Sequence, residues 1–198
     1  KIWRVNNTGL AADFTTLQQA HDDALVLAGD TIHLEPSVSS YGSLNAYKRL
    51  IIIGPGYYLA QNFGLQANVT PALVDDIHLD PTSDATVITG ITINNVFINA
   101  SNVIFMRNRV INRVTLSTLG TTPTSNITIA QNSLGSYSID HDFANSHGVS
   151  NVLITNNIMN SGIELNSFFS GIIENNFVTN NITVENFLVR NNIFISSG

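Results

Sequence analysis

One asparagine recurs in a fixed frame through the second half of the chain, and this repeat constrains the fold more than any other feature. The residues three positions before and two positions after each asparagine are all apolar. The residue five positions before is also apolar, except at Gly171. Apolar residues two apart are typical of a strand with one buried face. The repeated asparagines are Asn108, Asn132, Asn157, Asn176 and Asn192.

A second strand is predicted after each asparagine. Apolar residues follow six and eight positions later, as at Ile163 and Leu165, and are shifted by one position to Tyr137 and Ile139 in the second repeat. Successive asparagines are 24, 25, 19 and 16 residues apart, and the shorter repeats leave no room for a helix. Coils stacked about 4.8 Å apart would place these asparagines above one another, where their amides donate and accept along the stack. Asparagine also tolerates the left-handed backbone of a tight turn.

The repeat predicts an all-β fold, a right-handed parallel β-helix (a solenoid) with an N-terminal capping α-helix. We expect a single domain in which residues 1–29 form a strand and the cap helix, integral to the fold, and residues 30–198 form the coils. The alternative is a leucine-rich repeat, which also surrounds an asparagine with apolar residues. Its repeats run to 20–29 residues and are rich in Leu, whereas these are shorter in places and rich in Ile, Val and Phe.

The cap helix is predicted to span residues 14–28. Asp13, or a capping box of Thr16 and Gln19, can begin it, and Gly29 can end it. A β-helix otherwise has an unpaired backbone edge at its end. The helix is therefore expected to cover one end of the stack.

Charged side chains are scarce. They make up 11% of the 198 residues, with a net charge of −6, against about 25% in typical soluble domains. No basic stripe is available to bind phosphates, and no apolar run reaches the roughly 18 residues of a membrane span, so we expect neither nucleic-acid binding nor a membrane span. The chain has no cysteine. It starts at Lys1 without Met, as a processed secreted protein would, which favours an extracellular or cell-surface location.

Several N-terminal segments resemble the opening of secreted bacterial proteins of the pectate-lyase-like β-helix superfamily. The resemblance lies in the runs at 3–7, 17–20, 28–36 and 53–57, and the asparagine repeat is similar to the later coils of that superfamily. It implies a parallel β-helix with any active site on its outer face. The superfamily includes lyases, hydrolases, esterases and adhesins, so the resemblance leaves the function open.

The densest group of titratable residues lies between Ile139 and Val152. In this predicted loop, His141, Asp142 and His147 are the candidate catalytic residues, because His with Asp can act as an acid–base pair. The run from His147 to Ser150 is similar to the Gly-His-Gly-hydrophobic-Ser element of polygalacturonases, with Ser146 in place of the first Gly. The alternative is that these are turn-forming residues of a solvated loop.

Exposed aromatic rings are the candidate glycan-binding groups. Tyr41, Tyr57 and Tyr58 lie near Gly-rich turns in the N-terminal half, and such rings suit the apolar faces of sugars. Packing beneath the cap helix is the alternative. No metal site or cofactor is predicted, although calcium stays open. Arg107, Arg109 and Arg113 form a basic cluster, in which Arg107 and Arg109 bracket the Asn108 turn and are expected to face solvent.

Three functions follow. The first is a non-catalytic extracellular or cell-surface module, adhesive or structural, with glycans as partners. The second is a polysaccharide lyase or hydrolase acting on the outer face of the β-helix. The third is a filament-forming subunit that stacks end to end through an uncapped C-terminal coil, from residue 193 onward, as an open head-to-tail contact.

Overall fold

The structure is a computed structural model that describes residues 1–62, 64, 68–116, 123–141 and 148–195. It is an all-β protein with two long parallel sheets. The one α-helix in these ranges is α1 (Leu17–Asp22), and two 3₁₀ turns are Leu59–Asn62 and Pro81–Ser83. No helix in the described ranges is long and apolar enough to cross a membrane.

The first sheet has nine strands that pair in chain order, each parallel to its neighbours. They are β1 (Ile2–Val5), β2 (Thr31–Leu34), β4 (Ile51–Ile53), β6 (Val87–Thr89), β8 (Ile104–Met106), β10 (Thr124–Ala130), β13 (Val149–Thr155), β16 (Phe169–Glu174) and β19 (Asn186–Arg190).

The second sheet has eleven strands, also parallel. It divides at one long strand, whose first residues pair with one branch and whose last residues pair with the other. The common part is β3 (Leu44–Ala46), β5 (Leu73–Leu79), β7 (Thr92–Ile98) and β9 (Arg109–Leu116). One branch is β11 (Ser133–Leu134), β14 (Ile158–Met159), β17 (Phe177–Val178) and β20 (Ile193–Phe194); the other is β12 (Ser138–His141), β15 (Ile163–Glu164) and β18 (Ile182–Thr183).

From β2 onward the chain passes alternately through the first and second sheets. One circuit through both sheets is here called a rung, and the strands of each rung pair with strands of the previous rung. Strands of one sheet are parallel because the chain always returns through the other sheet. This topology is compatible with a parallel β-helix. Strands occupy the described segments between successive repeat asparagines, so the helix that a leucine-rich repeat carries is not found there.

The core lies between the sheets. One inward column of the first sheet is fully buried on six successive strands. Burying each such side chain stabilises the fold by about 1.5–3 kcal/mol relative to leaving it exposed. The column is Ile52, Ile88, Phe105, Ile129, Ile154 and Ile173.

The five repeat asparagines form a continuous hydrogen-bonded stack, here called the inner ladder. At Asn132, the backbone N–H and Nδ2 both donate to Asn157 Oδ1, at 2.9 and 3.0 Å. Its Nδ2 also donates to the Phe105 carbonyl at 3.0 Å, and its Oδ1 accepts from the Asn108 N–H at 2.8 Å. Equivalent bonds continue to Asn192. The ladder therefore satisfies backbone groups that the turn would otherwise bury unpaired.

The left-handed backbone lies one residue earlier than the sequence suggested. Positive φ occurs immediately before each inner-ladder asparagine, at Arg107, Gln131, Asn156, Asn175 and Asn191, with φ between 54 and 57°. The ladder asparagines are therefore required for their amide hydrogen bonds rather than for tolerance of the left-handed region. The turn conformation is supplied by their predecessors.

The cap helix is shorter than the predicted span of 14–28. Helix α1 begins after Thr16, whose Oγ1 accepts from the Gln19 N–H at 3.2 Å, and ends at Asp22. Beyond it, Val26 is buried, while Leu25 and Leu27 are 71% and 63% exposed. A continued helix would not give this alternation. The segment after α1 instead makes two hydrogen-bonded turns before β2, in which the Val26 N–H donates to the Asp23 carbonyl and the Asp30 N–H donates to the Leu27 carbonyl.

Residues preceding α1 also cover the end of the first sheet. The Phe14 N–H donates to the Arg4 carbonyl and its own carbonyl accepts from the Asn6 N–H, at 3.1 and 3.0 Å. These bonds satisfy part of the free edge of β1. Buried Leu17 and Ala20 then pack α1 onto the core.

Candidate functional site

An open cleft of about 600 Å³ lies outside the turn that joins the two sheets. One wall is a segment after β4, residues 54–62, here called the arm. The Tyr57 hydroxyl donates to the Gln131 carbonyl at 3.1 Å, and the Tyr58 hydroxyl lies 3.0 Å from Ser133 Oγ. These contacts span 74 and 75 residues of sequence. They fix the arm across three strands of the first sheet, about 14 Å.

Glycines form the floor of the cleft. A Cβ at Gly54 would lie 2.5 Å from the Gly90 carbonyl oxygen, and one at Gly90 would lie 2.6 Å from that of Gly54. Gly90 also has φ of +77°, which favours glycine. The backbones of the two turns therefore touch, and no side chain fills the space between Tyr57 and Arg107. Ile53 and Thr89 line the same cleft.

Arg107 supplies the cationic group of the cleft. Its Nε donates to Gln131 Oε1 at 2.8 Å, which holds the side chain in place. Among the described residues, its terminal nitrogens have no protein partner and no carboxylate lines the cleft. A guanidinium held in this way can donate to hydroxyl or carboxylate oxygens of a ligand. The sequence indicated its exposure but not its role.

The two tyrosines of the arm form a packed pair. Their ring centroids are 5.1 Å apart in an edge-to-face arrangement, and the Arg109 guanidinium lies 5.4 Å from the Tyr58 ring centre. Burial raises the pKa of the Tyr57 hydroxyl, and the neighbouring Tyr58 raises it further. The hydroxyl therefore stays protonated and remains a donor. Tyr57 is half-buried and Tyr58 is 41% exposed. Both predicted glycan-binding rings are therefore accessible.

The prediction for Tyr41 is wrong. This side chain is 1% exposed, and its hydroxyl donates to the Glu35 carbonyl at 2.9 Å. It belongs to the hydrophobic core and cannot stack on a sugar ring.

The prediction of a solvated loop at His141 is also wrong. His141 ends β12 in register with the core residue Leu116 and is 4% exposed. Its Nδ1 lies 3.0 Å from the Glu164 carbonyl, and its Nε2 lies 3.0 Å from Asn166 Nδ2. Both ring nitrogens therefore have partners within the protein. Asp142 and His147 lie outside the described residues.

The inward residues of β12 also differ from the pair predicted from the sequence, Tyr137 and Ile139. Ile139 aligns with Val114 and Ile163, but Tyr137 is 64% exposed rather than buried. The inward pair is Ile139 and His141, which is how the histidine enters the core.

A second, smaller depression of about 260 Å³ lies outside β12 and β15. It contains two carboxylates, Asp140 and Glu164, from neighbouring strands. Asp140 is bound to Arg113 Nη1 at 3.1 Å and to Thr115 Oγ1 at 2.6 Å. Both carboxylate oxygens of Asp140 therefore already have partners within the protein. The sequence did not indicate this pair, because Asp140 was expected to lie in a loop rather than in a strand.

An outer ladder of asparagines was also missed. Asn126 Nδ2 donates to Asn102 Oδ1 at 2.9 Å, and Asn151 Nδ2 donates to Asn126 Oδ1 at 2.6 Å. All three are exposed and have φ between 56 and 59°. Each stands six residues before an inner-ladder asparagine, so the same frame contained the signal.

Within the described ranges, no group of three or more His, Asp or Glu side chains is arranged to hold a metal ion. The chain matches no protein-family model, no curated protein and no solved structure.

Proposed function

We propose that the chain is a right-handed parallel β-helix of the pectate-lyase-like type that acts outside the cell and binds glycans without catalysis. The cleft between Tyr57 and Arg107 is the binding site. The ligand is an oligosaccharide whose ring packs on Tyr57 and whose oxygens bind Arg107 and Gln131.

The observation that carries this proposal is an aromatic ring and a guanidinium facing each other across a glycine floor. Sugar rings offer C–H groups to an aromatic ring and many oxygens to fixed donors. Tyr57 is tied to the Gln131 carbonyl and Arg107 to the Gln131 side chain. Binding therefore orders few side chains, and this pre-organisation lowers its entropic cost.

The lyase or hydrolase alternative is less well supported. His141 was its central residue, yet the imidazole is buried and both its nitrogens have partners. A general base needs a nitrogen within reach of the substrate proton. If the turnover of acidic and neutral polysaccharides is unchanged in His141→Ala and His147→Ala, these histidines are not the catalytic groups. Turnover lost in either variant would favour the enzyme.

The test of glycan binding is a glycan-array screen followed by calorimetry on the glycans bound. Tyr57→Ala removes the ring and the bond to Gln131, and should weaken binding at least 10-fold, about 1.4 kcal/mol. Tyr137→Ala is the matched control, because Tyr137 is an exposed tyrosine outside the cleft. Equal affinities for the wild type and Tyr57→Ala would refute the assignment. Loss in Tyr137→Ala alone would move the site to the depression beside Asp140.

A structural role through end-to-end stacking is the second candidate. The observation that favours it is the exposure of Ile193 and Phe194 in β20, at 61% and 51%. At the opposite end, Phe14 already pairs with β1, so a head-to-tail contact would find part of that edge occupied. Filaments in light scattering that disappear in Phe194→Lys would support this role.

A further inference from the structure

The five residues that precede the inner-ladder asparagines form an exposed column along the outside of the turn. Each has a left-handed backbone, and the N–H groups of the first four donate to carbonyls of the next rung, at 3.1 Å from Arg107 and 3.3 Å from Asn156. The register of the first sheet places the five residues one above another. We call them the turn column; its members are Arg107, Gln131, Asn156, Asn175 and Asn191.

The amides of the turn column are free, unlike those of the outer ladder. In the outer ladder, the Asn126 and Asn151 amides each donate to the asparagine of the previous rung. The asparagines of the turn column are also exposed and also have positive φ, yet among the described residues the side chains of Asn156 and Asn175 have no hydrogen-bond partner. Gln131 keeps its Nε2 free, because only its Oε1 is bonded. Successive rungs therefore offer unpaired amides to a ligand.

A strip of apolar side chains runs beside the turn column. It consists of residues that directly follow inner-ladder asparagines and are in register on the outer face of the second sheet. Ile158 and Ile193 are 55% and 61% exposed, and Phe177 between them is half-buried. The strip follows Ser133, which the Tyr58 hydroxyl of the arm contacts. Beyond the arm, each rung therefore presents one free amide beside one apolar side chain.

The chemistry of this surface favours a hydroxyl-rich chain over a polypeptide or a charged polymer. The backbone N–H groups from Arg107 to Asn175 are already paired between rungs, so a peptide strand cannot add there by main-chain hydrogen bonds. Glu174 and Arg190, the charged residues next to the column in sequence, pair with each other at 2.7 Å. Sugars offer hydroxyls that donate to and accept from amides, and C–H groups that pack on apolar side chains.

We propose that the glycan-binding site extends from the cleft along the turn column. Its ligand is a linear oligosaccharide that is uncharged beyond the unit in the cleft and lies parallel to the axis of the stack. This inference rests on the proposed function, because Arg107 and Gln131 belong to both the cleft and the column. From Arg107 to Asn191 the column spans four strand spacings, about 19 Å. Each spacing is close to the length of one pyranose unit, so successive units meet successive amides while their C–H groups pack on Ile158 and Phe177.

The test is calorimetry with oligosaccharides of about two and about five units from one linear glycan bound on the array, because about five units span the column and about two reach little beyond the cleft. The wild type should bind the longer one at least about 10-fold more tightly. The double variant Asn156→Gly/Asn175→Gly removes two hydrogen bonds to a neutral ligand. It should lower the affinity for the longer oligosaccharide about 10-fold and leave that for the shorter one unchanged. Glycine keeps the left-handed backbone of both turns.

The double variant Asn126→Gly/Asn151→Gly is the matched control. These exposed asparagines have φ of 59 and 56°, against 56 and 57° at Asn156 and Asn175, but they lie in the outer ladder. The control should bind both oligosaccharides as the wild type does.

The outcomes separate the extended site from the cleft. Equal affinities of the wild type for both lengths, with Tyr57→Ala still weakening them, would refute the turn column and keep the cleft. A loss in Asn156→Gly/Asn175→Gly without a loss in Tyr57→Ala would refute the cleft and keep the column. A wild type that binds no linear glycan would overturn both. An equal loss in the control, or self-association that Asn156→Gly/Asn175→Gly abolishes, would overturn the extended site.

Discussion

Removing one inner-ladder side chain from the middle of the stack should destabilise the protein far more than removing the last one. Asn132 is 1% exposed and lies between two other ladder asparagines. In Asn132→Ala, the buried Asn108 N–H loses its acceptor, which costs about 1–3 kcal/mol, and the Phe105 carbonyl loses a donor, about 0.5–1.5 kcal/mol. The expected loss in the free energy of unfolding is therefore about 3 kcal/mol.

Asn192→Ala is the matched control. Asn192 makes the same bonds, to the Asn176 N–H and the Ile173 carbonyl, but it is partly exposed. Water can replace its amide there, so the expected loss is about 1 kcal/mol. Urea unfolding at constant m-value measures both losses. A cost for Asn132→Ala no greater than that for Asn192→Ala would refute the reasoning that the ladder satisfies buried backbone groups.

The Asn132→Asp variant separates the acceptor from the donor. An aspartate still accepts from the Asn108 N–H, but its carboxylate cannot donate to the Phe105 carbonyl. Burial should raise its folded pKa above the unfolded value of about 3.9. The variant is then closest to wild-type stability below pH 3.9 and loses stability as pH rises through the folded pKa. A pH-independent difference from the wild type would contradict this account.

Two further outcomes are expected. Burial lowers the pKa of His21, whose Nε2 accepts from the Tyr47 N–H. The free energy of unfolding should therefore be highest above the unfolded pKa of about 6.5 and should fall as the pH drops towards the lower folded pKa. Urea midpoints between pH 8 and 5 measure this pH dependence of stability. The same pH dependence in His21→Gln would contradict its assignment to His21. Gly171→Ala should cost at least about 2 kcal/mol, because a Cβ would lie 1.9 Å from the Val152 oxygen, whereas Gly64→Ala meets nothing within 4 Å. Equal melting temperatures for the two variants would exclude this contact.

The periodic part of the molecule could be predicted from the sequence. Asn132 and its counterparts mark the turn, and Ile129 and Leu134 around it are buried. Stacked rungs place equivalent residues one strand spacing apart, so side chains that satisfy one rung also satisfy its neighbours. The spacing of the repeat along the chain therefore predicts which residues of successive rungs lie beside one another.

Features that depend on contacts between distant segments could not be predicted. The arm binds Gln131 and Ser133, more than 70 residues away, and no local pattern encodes that distance. Helix α1 ends at Asp22, and the turn after it is bound by Lys48 from a later segment, whose Nζ donates to the Val26 carbonyl, although local propensity allowed a longer helix. Tertiary packing overrides propensity in such short segments.

The sequence by itself determined the all-β character, the inner ladder and the alternation of buried and exposed residues, because each follows from a repeat with a fixed backbone spacing. Only the tertiary structure decided which outward columns become neighbours. Ile104, for example, is flanked by Val87 and Thr128 across strands. The cleft arises because the arm passes over the glycine turns. Side chains far apart in sequence acquire a common surface only when the rungs stack.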